Sequence, residues 1–127
     1  MKKINQIQPW INHEEANYVK KIISKTYLTE NIETKKFEEN IKKKFKIKNC
    51  IAVSNWTNGL LMCLKALNIK PGDEIIVPNL TFIATATPAI WLGAKIVLCD
   101  IDENHFCMNL NDLKKLINKK TKCIIPV

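Results

Sequence analysis

The chain has 127 residues, of which 46% are hydrophobic and 25% charged, as in ordinary soluble globular proteins. This length suits one domain, and no apolar run approaches the ~20 residues of a membrane-spanning helix, so no membrane partner is expected. The net charge of +8 comes from lysine without arginine, the residue best suited to bases and phosphates, which speaks against nucleic-acid binding. Because no apolar segment follows the first lysines as in a signal peptide, we expect a cytoplasmic protein.

The cysteine spacing does not suggest a metal site. None of the five cysteines forms a C-x-x-C pair, and only two histidines accompany them. Most of the cysteines lie in apolar segments, so the pattern predicts buried free thiols in a reducing compartment. The cysteines are Cys50, Cys63, Cys99, Cys107 and Cys123.

Two amphipathic helices are predicted first along the chain. Residues 12–25 carry apolar side chains at helical spacing, with Asn12 as the N-cap and acidic residues in the first turn. A polar connector, TYLTEN, follows. Residues 33–45 repeat the helical pattern, with phenylalanine and isoleucine on one face and lysines on the other.

Alternating strands and helices follow, with strands predicted at 50–53, 74–77, 95–99 and 121–127 and helices at 57–67, 81–91 and about 109–118. Pro88 is expected to bend the second of these helices, and Gly93 to end it. Because the strands are continuously apolar, they predict an α/β fold with a mostly parallel sheet and helices on both faces. A sheet of about four strands that stops on a strand is typical of part of a larger domain.

The stretch VSNWTN, residues 53–58, joins a predicted strand to a predicted helix. Free N–H groups at a helix start attract anions, and the hydroxyls of Ser54 and Thr57 add donors. The alternative is that serine, asparagine and threonine are present only as good turn and cap residues. The stretch is neither G-x-G-x-x-G nor a P-loop, so it does not support a dinucleotide or NTPase site.

Two further stretches follow predicted strands, at the sheet edge where open α/β proteins bind ligands. Phe82, in PNLTF, is placed either to stack on a flat ring or to anchor its helix in the core. Asp100 and Asp102 form a carboxylate pair suited to acid–base chemistry. Because we find no histidine or metal partner near them in sequence, the preferred interpretation is a solvated acidic turn.

The segment GDEIIVPNLTFIATATPAIWLGAKIVLCDID, residues 72–102, closely resembles the DegT/DnrJ/EryC1/StrS family of pyridoxal-phosphate-dependent sugar aminotransferases. Three other stretches match the family's segments in order and spacing: YLTENIETKKFEENIKKKF, VSNWTNGLLMCLKALNIKPGDE and INKKTKCIIPV. The resemblance extends from about Pro9 to Val127. Each motif is weak alone, but their combination is specific.

The resemblance implies four site residues. The Gly-Thr pair that holds the cofactor phosphate in the family maps to Trp56 and Thr57. A tryptophan thus stands where the family usually has glycine, and any positive φ there would cost energy. The aromatic residue that stacks on the pyridine ring maps to Phe82. The family's substrate-side W-L-T-T-G segment resembles residues 27–31, which makes Thr29 a substrate contact and places Asn31 at the glycine position.

The resemblance also implies the fold and activity of the parent enzyme. Residues 1–127 would be part of the large, cofactor-binding domain of a type I aminotransferase, which acts as a cytosolic homodimer. Such enzymes transfer an amino group, usually from glutamate, to a keto group on a nucleotide-linked sugar, for lipopolysaccharide, other surface polysaccharide, glycan or antibiotic pathways. The Schiff-base lysine and the aspartate that pairs with the pyridine nitrogen map beyond Val127, as does the small C-terminal domain. We therefore assign no catalytic residue and expect the chain alone to be inactive.

Two alternatives remain open. The chain is either a non-catalytic truncated product or an interaction module that pairs with a full-length paralogue, and the abrupt end and Trp56 favour this interpretation. Alternatively, the parent is a pyridoxal-phosphate-dependent sugar dehydratase of the same family, in which histidine replaces the Schiff-base lysine. The family segment that carries this lysine or histidine, and so distinguishes the two enzymes, does not map onto residues 1–127.

Overall fold

The computed structural model describes residues 4–5, 7–25, 27–29 and 32–127. The chain divides into two compact units, Met1–Ala52 and Val53–Val127, which are called the first and the second unit below. Asn31, predicted to replace a family glycine, lies outside the described residues.

The first unit contains α1, His13–Ile23, and its N-terminus is closed by a capping box. The Asn12 side chain accepts a hydrogen bond from the N–H of Glu14 at 2.6 Å, and the Asn12 N–H donates to the Glu15 carboxylate at 2.8 Å. These contacts satisfy donors that a helix start leaves open, which explains why the local sequence was enough to place this helix. The predicted N-cap is confirmed.

The second helix of this unit, α2, spans Ile32–Phe45. No described residue of α1 or α2 is buried, and apolar side chains such as Val19, Ile23, Phe37 and Phe45 are exposed. The described residues of the first unit therefore do not bury the predicted apolar faces of these two helices. No helix in the described part of the chain is long and apolar enough to cross a membrane.

The strand predicted at residues 50–53 is wrong. These residues form no regular secondary structure, and Ile51 is exposed. A strand persists only when a neighbouring chain takes its ladder hydrogen bonds, and no described strand pairs with this segment. One amide of this segment is hydrogen-bonded to a side chain instead: the N–H of Ala52 donates to the Glu38 carboxylate at 2.7 Å.

The second unit is built on a three-stranded parallel sheet in the order β2-β1-β3. Its strands are β1, Glu74–Pro78; β2, Lys95–Cys99; and β3, Thr121–Ile124. The helices are α3, Trp56–Ala66; α4, Thr87–Trp91; and α5, Leu110–Leu116. The central strand β1 is buried along its whole length, as the apolar run of residues 75–77 predicted, and this includes the charged Glu74 at its start.

Helices cover both faces of this sheet, as predicted. On one face, side chains of α3 and α4 pack against alternate strand residues; this cluster includes Leu64, Ala89, Ile75, Val77 and Ile125. On the other face, the cluster contains Ile76, Cys99 and Met108, with Leu113 and Leu116 of α5 packed against it. The alternation follows from the two-residue period of a strand.

The single helix predicted at residues 81–91 is also wrong. A 3-10 turn, Ile83–Thr85, comes first, and α4 begins only at Thr87. Pro88 lacks an N–H and fits only the first turn of a helix, so it stands in the first turn of α4 instead of bending a longer helix. Gly93 lies just beyond the end of α4 with φ +76, as expected of a helix-ending glycine.

The prediction of buried thiols holds only in part. Cys99 is buried, Cys50 and Cys123 are half-buried, and Cys63 and Cys107 are exposed. All five are free. Cys63 stands next to the buried Leu64 on α3, so it faces away from the core despite its apolar surroundings in sequence.

Candidate cofactor site

The start of α3 presents unpaired backbone donors. The Asn55 side chain caps the helix and accepts the N–H of Asn58 at 2.9 Å. The N–H groups of Trp56 and Thr57 make no hydrogen bond within the described chain. Two free N–H groups at the positive end of a helix dipole form an arrangement that binds phosphate.

Trp56 fits this helix start without strain. It is the first residue of α3, and the described non-glycine residues with positive φ are Lys46, Asn68 and Phe106. The energetic cost expected for a tryptophan at a glycine position therefore does not arise. The Trp56 side chain is 56% exposed, and its backbone N–H remains available to an anion.

Hydroxyl groups flank the same helix start. The Ser54 Oγ accepts a hydrogen bond from the Asn58 side-chain amide at 2.9 Å, which leaves the Ser54 proton free to be donated. Thr57 is half-buried, and its hydroxyl has no hydrogen-bond partner in the described chain. Backbone and side-chain donors therefore lie together within four consecutive residues, 54–57.

Phe82 lies beyond the carboxyl end of β1. It precedes the 3-10 turn, and its carbonyl accepts the N–H of Thr85 at 2.9 Å. Its side chain is 78% exposed, so the alternative of a core anchor is wrong. The 3-10 turn packs against α3, the helix that begins with Trp56 and Thr57. The three predicted cofactor residues therefore come from adjoining elements of one unit.

Thr29, the predicted substrate contact, belongs to the first unit. It is exposed, in the connector between α1 and α2. Glu33, in the first turn of α2, accepts the Tyr18 hydroxyl of α1 and lies 3.0 Å from the Lys25 ammonium of the connector. The Tyr18 hydrogen bond, followed by the Lys25 contact, lowers the pKa of Glu33 to about 2.

A histidine partner for Asp102 was missed in the sequence. The Asp102 Oδ1 lies 2.9 Å from the Nδ1 of His105 and accepts the backbone N–H groups of Asn104 and His105 at 3.0 and 3.1 Å. These contacts lower the pKa of Asp102. The His105 side chain has the largest effect, and the two backbone N–H groups follow. The Asp-x-x-His spacing within a turn was the available signal. The pair borders an open concavity of about 600 Å³ that also involves Cys107, Asn109 and Lys114.

The described residues contain no cluster of three or more side chains able to hold a metal ion. The groups at the start of α3 and on the neighbouring loop are backbone N–H groups, hydroxyls and an exposed aromatic ring. These suit a phosphorylated, flat organic cofactor better than a cation.

Several solved structures share this fold. The sugar aminotransferase Spr1654 from Streptococcus pneumoniae has been solved in PMP and PLP forms. Its PMP form is 30% identical to this chain with a TM-score of 0.85, and the match covers 93% of this chain and 30% of that chain. The aminotransferase from Psychrobacter cryohalolentis is 31% identical with a TM-score of 0.84, covering 94% and 31%. A GDP-4-keto-6-deoxymannose-3-dehydratase, with a trapped PLP-glutamate geminal diamine, is 25% identical with a TM-score of 0.87, covering 98% and 34%.

The fold is therefore that of pyridoxal-phosphate-dependent aminotransferases, as predicted. The model of the DegT/DnrJ/EryC1/StrS aminotransferase family matches residues 9–127, and the chain belongs to this family. Members of the family depend on pyridoxal phosphate. The chain spans 30–34% of the length of the solved relatives named above.

Proposed function

We propose that this chain forms one wall of the cofactor pocket of a pyridoxal-phosphate-dependent enzyme. That enzyme transfers an amino group, from glutamate as donor, to a keto group on a nucleotide-linked sugar. The observation that carries the proposal is the pair of unpaired N–H groups, of Trp56 and Thr57, at the start of α3. Family membership and the sugar aminotransferase among the structural relatives support the reaction class.

Each site residue has a defined task in this proposal. The N–H groups of Trp56 and Thr57 and the Thr57 hydroxyl bind the phosphate, and the helix dipole favours its charge. The exposed Phe82 ring stacks on the flat pyridine ring and orients it. When bound, the cofactor supplies an electron sink for the transfer of the amino group. The lysine and aspartate that react with or pair with it in the family map onto no residue of this chain, so these residues bind and orient.

The remaining parts of the proposal concern the whole protein. Thr29 contacts the sugar substrate, and the enzyme acts as a homodimer in the cytoplasm, in the biosynthesis of lipopolysaccharide or another surface polysaccharide. The family resemblance supports these points.

Binding of the cofactor is tested by titrating the purified chain with pyridoxal phosphate and, separately, with pyridoxal, with Trp fluorescence and thermal unfolding as readouts. We expect saturable stabilisation by pyridoxal phosphate alone, because the N–H groups of α3 recognise the phosphate. Thr57→Ala and Phe82→Ala should each weaken binding by about tenfold, a typical loss for one hydrogen bond to a charged group or one aromatic stack.

Matched controls are available for both variants. Thr34→Ala removes a half-buried threonine from α2, and Phe45→Ala removes an exposed phenylalanine. Neither should change binding. Equal binding of pyridoxal and pyridoxal phosphate would contradict the phosphate site, and absence of any binding would favour a non-catalytic role such as pairing with a full-length paralogue.

A sugar dehydratase is the second candidate, because a GDP-4-keto-6-deoxymannose-3-dehydratase matches this chain with a TM-score of 0.87. The two reactions differ in the fate of the donor nitrogen. With the full gene product and ¹⁵N-glutamate, a transferase places the label in the sugar, whereas a dehydratase yields a sugar that has lost water and carries no label.

A further inference from the structure

Glu33 gathers side chains from three parts of the first unit. Its Oε2 accepts the Tyr18 hydroxyl of α1. Its Oε1 lies 3.0 Å from the Nζ of Lys25, at the start of the connector, and 3.4 Å from the Nζ of Lys36, in the next turn of α2. One carboxylate therefore ties α1, the connector and α2 together at the base of the segment that carries Thr29.

This cluster differs from the ordinary ion pairs of the surface. The Glu33 side chain is only 23% exposed, whereas no described residue of the first unit is buried, so its partners shelter it. A single exposed ion pair contributes little, because solvent screens it and two long side chains must be ordered. A network on one carboxylate orders its members jointly. By contrast, the Glu39–Lys42 pair lies within α2 and joins it to no other element.

We propose that Glu33 is a positioning residue that orders residues 27–29, between α1 and α2, and so presents Thr29 to the sugar substrate. The second half of this statement rests on the proposed function of Thr29. Without the Glu33 contacts, the connector would sample many conformations. Substrate binding would then have to offset the entropic cost of ordering it. Closing the base in advance raises the fraction of molecules that are ready to bind.

Hydrogen exchange of the backbone amides of residues 27–29 tests the first half on the purified chain at neutral pH. We expect exchange to rise about threefold to fivefold in Glu33→Ala, as for losing a surface charge network, and by less in Tyr18→Phe. Glu39→Ala is the matched control and should leave exchange unchanged. If Glu33→Ala does not fold, Tyr18→Phe still tests the proposal, since it removes only a single hydroxyl from the network.

Steady-state kinetics of the full gene product test the second half. Glu33→Ala and Tyr18→Phe should raise the KM for the keto sugar, Glu33→Ala by more, because fewer molecules have the connector ready to bind. The value of kcat should stay unchanged, because Glu33 touches no reacting atom. Unchanged exchange in both variants would overturn the proposal, and raised exchange with unchanged KM would overturn the link to substrate. If the unmutated protein transfers no amino group, the proposed function fails, while exchange still decides whether Glu33 orders the connector.

Discussion

At the scale of single residues, Glu74 shows how a buried charge is accommodated. It stands at the start of β1 with its side chain 9% exposed, 2.8 Å from the Asn118 side-chain amide and 3.2 Å from the Lys95 ammonium. The Asn118 hydrogen bond, followed by the Lys95 contact, lowers the pKa of Glu74. The carboxylate thereby links β1 to the start of β2 and to the segment that leads into β3.

Removing this carboxylate should destabilise the chain in a pH-dependent way. A lowered folded-state pKa means that the contribution of Glu74 is fully present above the ordinary glutamate pKa and is lost as the pH falls through the lower folded value. Glu74→Ala should therefore lower the urea midpoint clearly at pH 7 and progressively less below pH ~4.5. Urea unfolding across this pH range provides the measurement. Glu103→Ala, which removes an exposed glutamate, is the control and should leave the urea midpoint at pH 7 nearly unchanged.

A second residue-scale prediction concerns Gly93. Its φ is +76, and a Cβ there would lie 2.9 Å from the Pro71 Cγ, whereas Gly72, with φ +94, has nothing within 4 Å of a Cβ. Both alanine variants suffer backbone strain of about 1–2 kcal/mol. Gly93→Ala should lose about 1–3 kcal/mol more, because its Cβ also overpacks against the proline ring. Equal free energies of unfolding for the two variants would show that the ring moves away at no cost.

At the scale of elements, a comparison of the N-caps of α3 and α5 distinguishes an effect on stability from an effect on cofactor binding. Asn55 caps α3, and Asn109 caps α5 by accepting the N–H groups of Asn111 and Asp112. Asn55→Ala and Asn109→Ala should each cost about 1 kcal/mol of unfolding free energy. Because the proposed phosphate site lies at the start of α3, only Asn55→Ala should also weaken pyridoxal phosphate binding. A loss of binding in both variants would trace the effect to general destabilisation.

Local signals explain which elements the sequence predicted correctly. Asn12 and Asn109 are caps that act through their own neighbours, so α1 and α5 were placed well. The error at residues 50–53 has a non-local cause, since a strand needs a partner that sequence alone does not supply. The error at 81–91 was local, because the clash of Pro88 with a preceding turn was treated as a bend and not as a start.

The candidate site was predictable to a similar extent. Polar turn chemistry and family resemblance together singled out residues 54–57 and Phe82, and the structure leaves their donors and ring accessible. That Trp56 sits in a relaxed helical conformation required the backbone itself, because residue type alone implied strain. The Asp102–His105 contact and the Glu33 network depend on side-chain directions in turns, which periodicity does not encode.

At the scale of the whole molecule, the two units differ in how they bury apolar surface. No described residue of the first unit is buried, whereas the second unit has clusters on both faces of its sheet. Because protection against proteases follows local stability, limited proteolysis should cut within residues 4–52 before it cuts within 53–127. Mass spectrometry of early fragments gives the order, and simultaneous cleavage in both units would contradict the prediction.

The same difference bears on the isolated chain. Many of its large apolar side chains are exposed, among them Trp10, Phe37, Trp91 and Leu98. Surfaces of this kind favour association over a monomeric state. We expect the purified chain to unfold at low temperature with a broad transition. A sharp, high-temperature transition in a monodisperse sample would contradict this expectation.

The strand order β2-β1-β3 has a consequence for where a ligand fits. The chain moves from β1 outward to β2 and then crosses back over β1 to reach β3. Since parallel crossovers share one handedness, these opposite movements send α4 and α5 to opposite faces of the sheet. The loops that leave β1 and β2 therefore diverge at their carboxyl ends and open a crevice, the topological switch point of an open sheet. Phe82 lies on the loop that leaves β1, so chain topology alone directs it to this crevice.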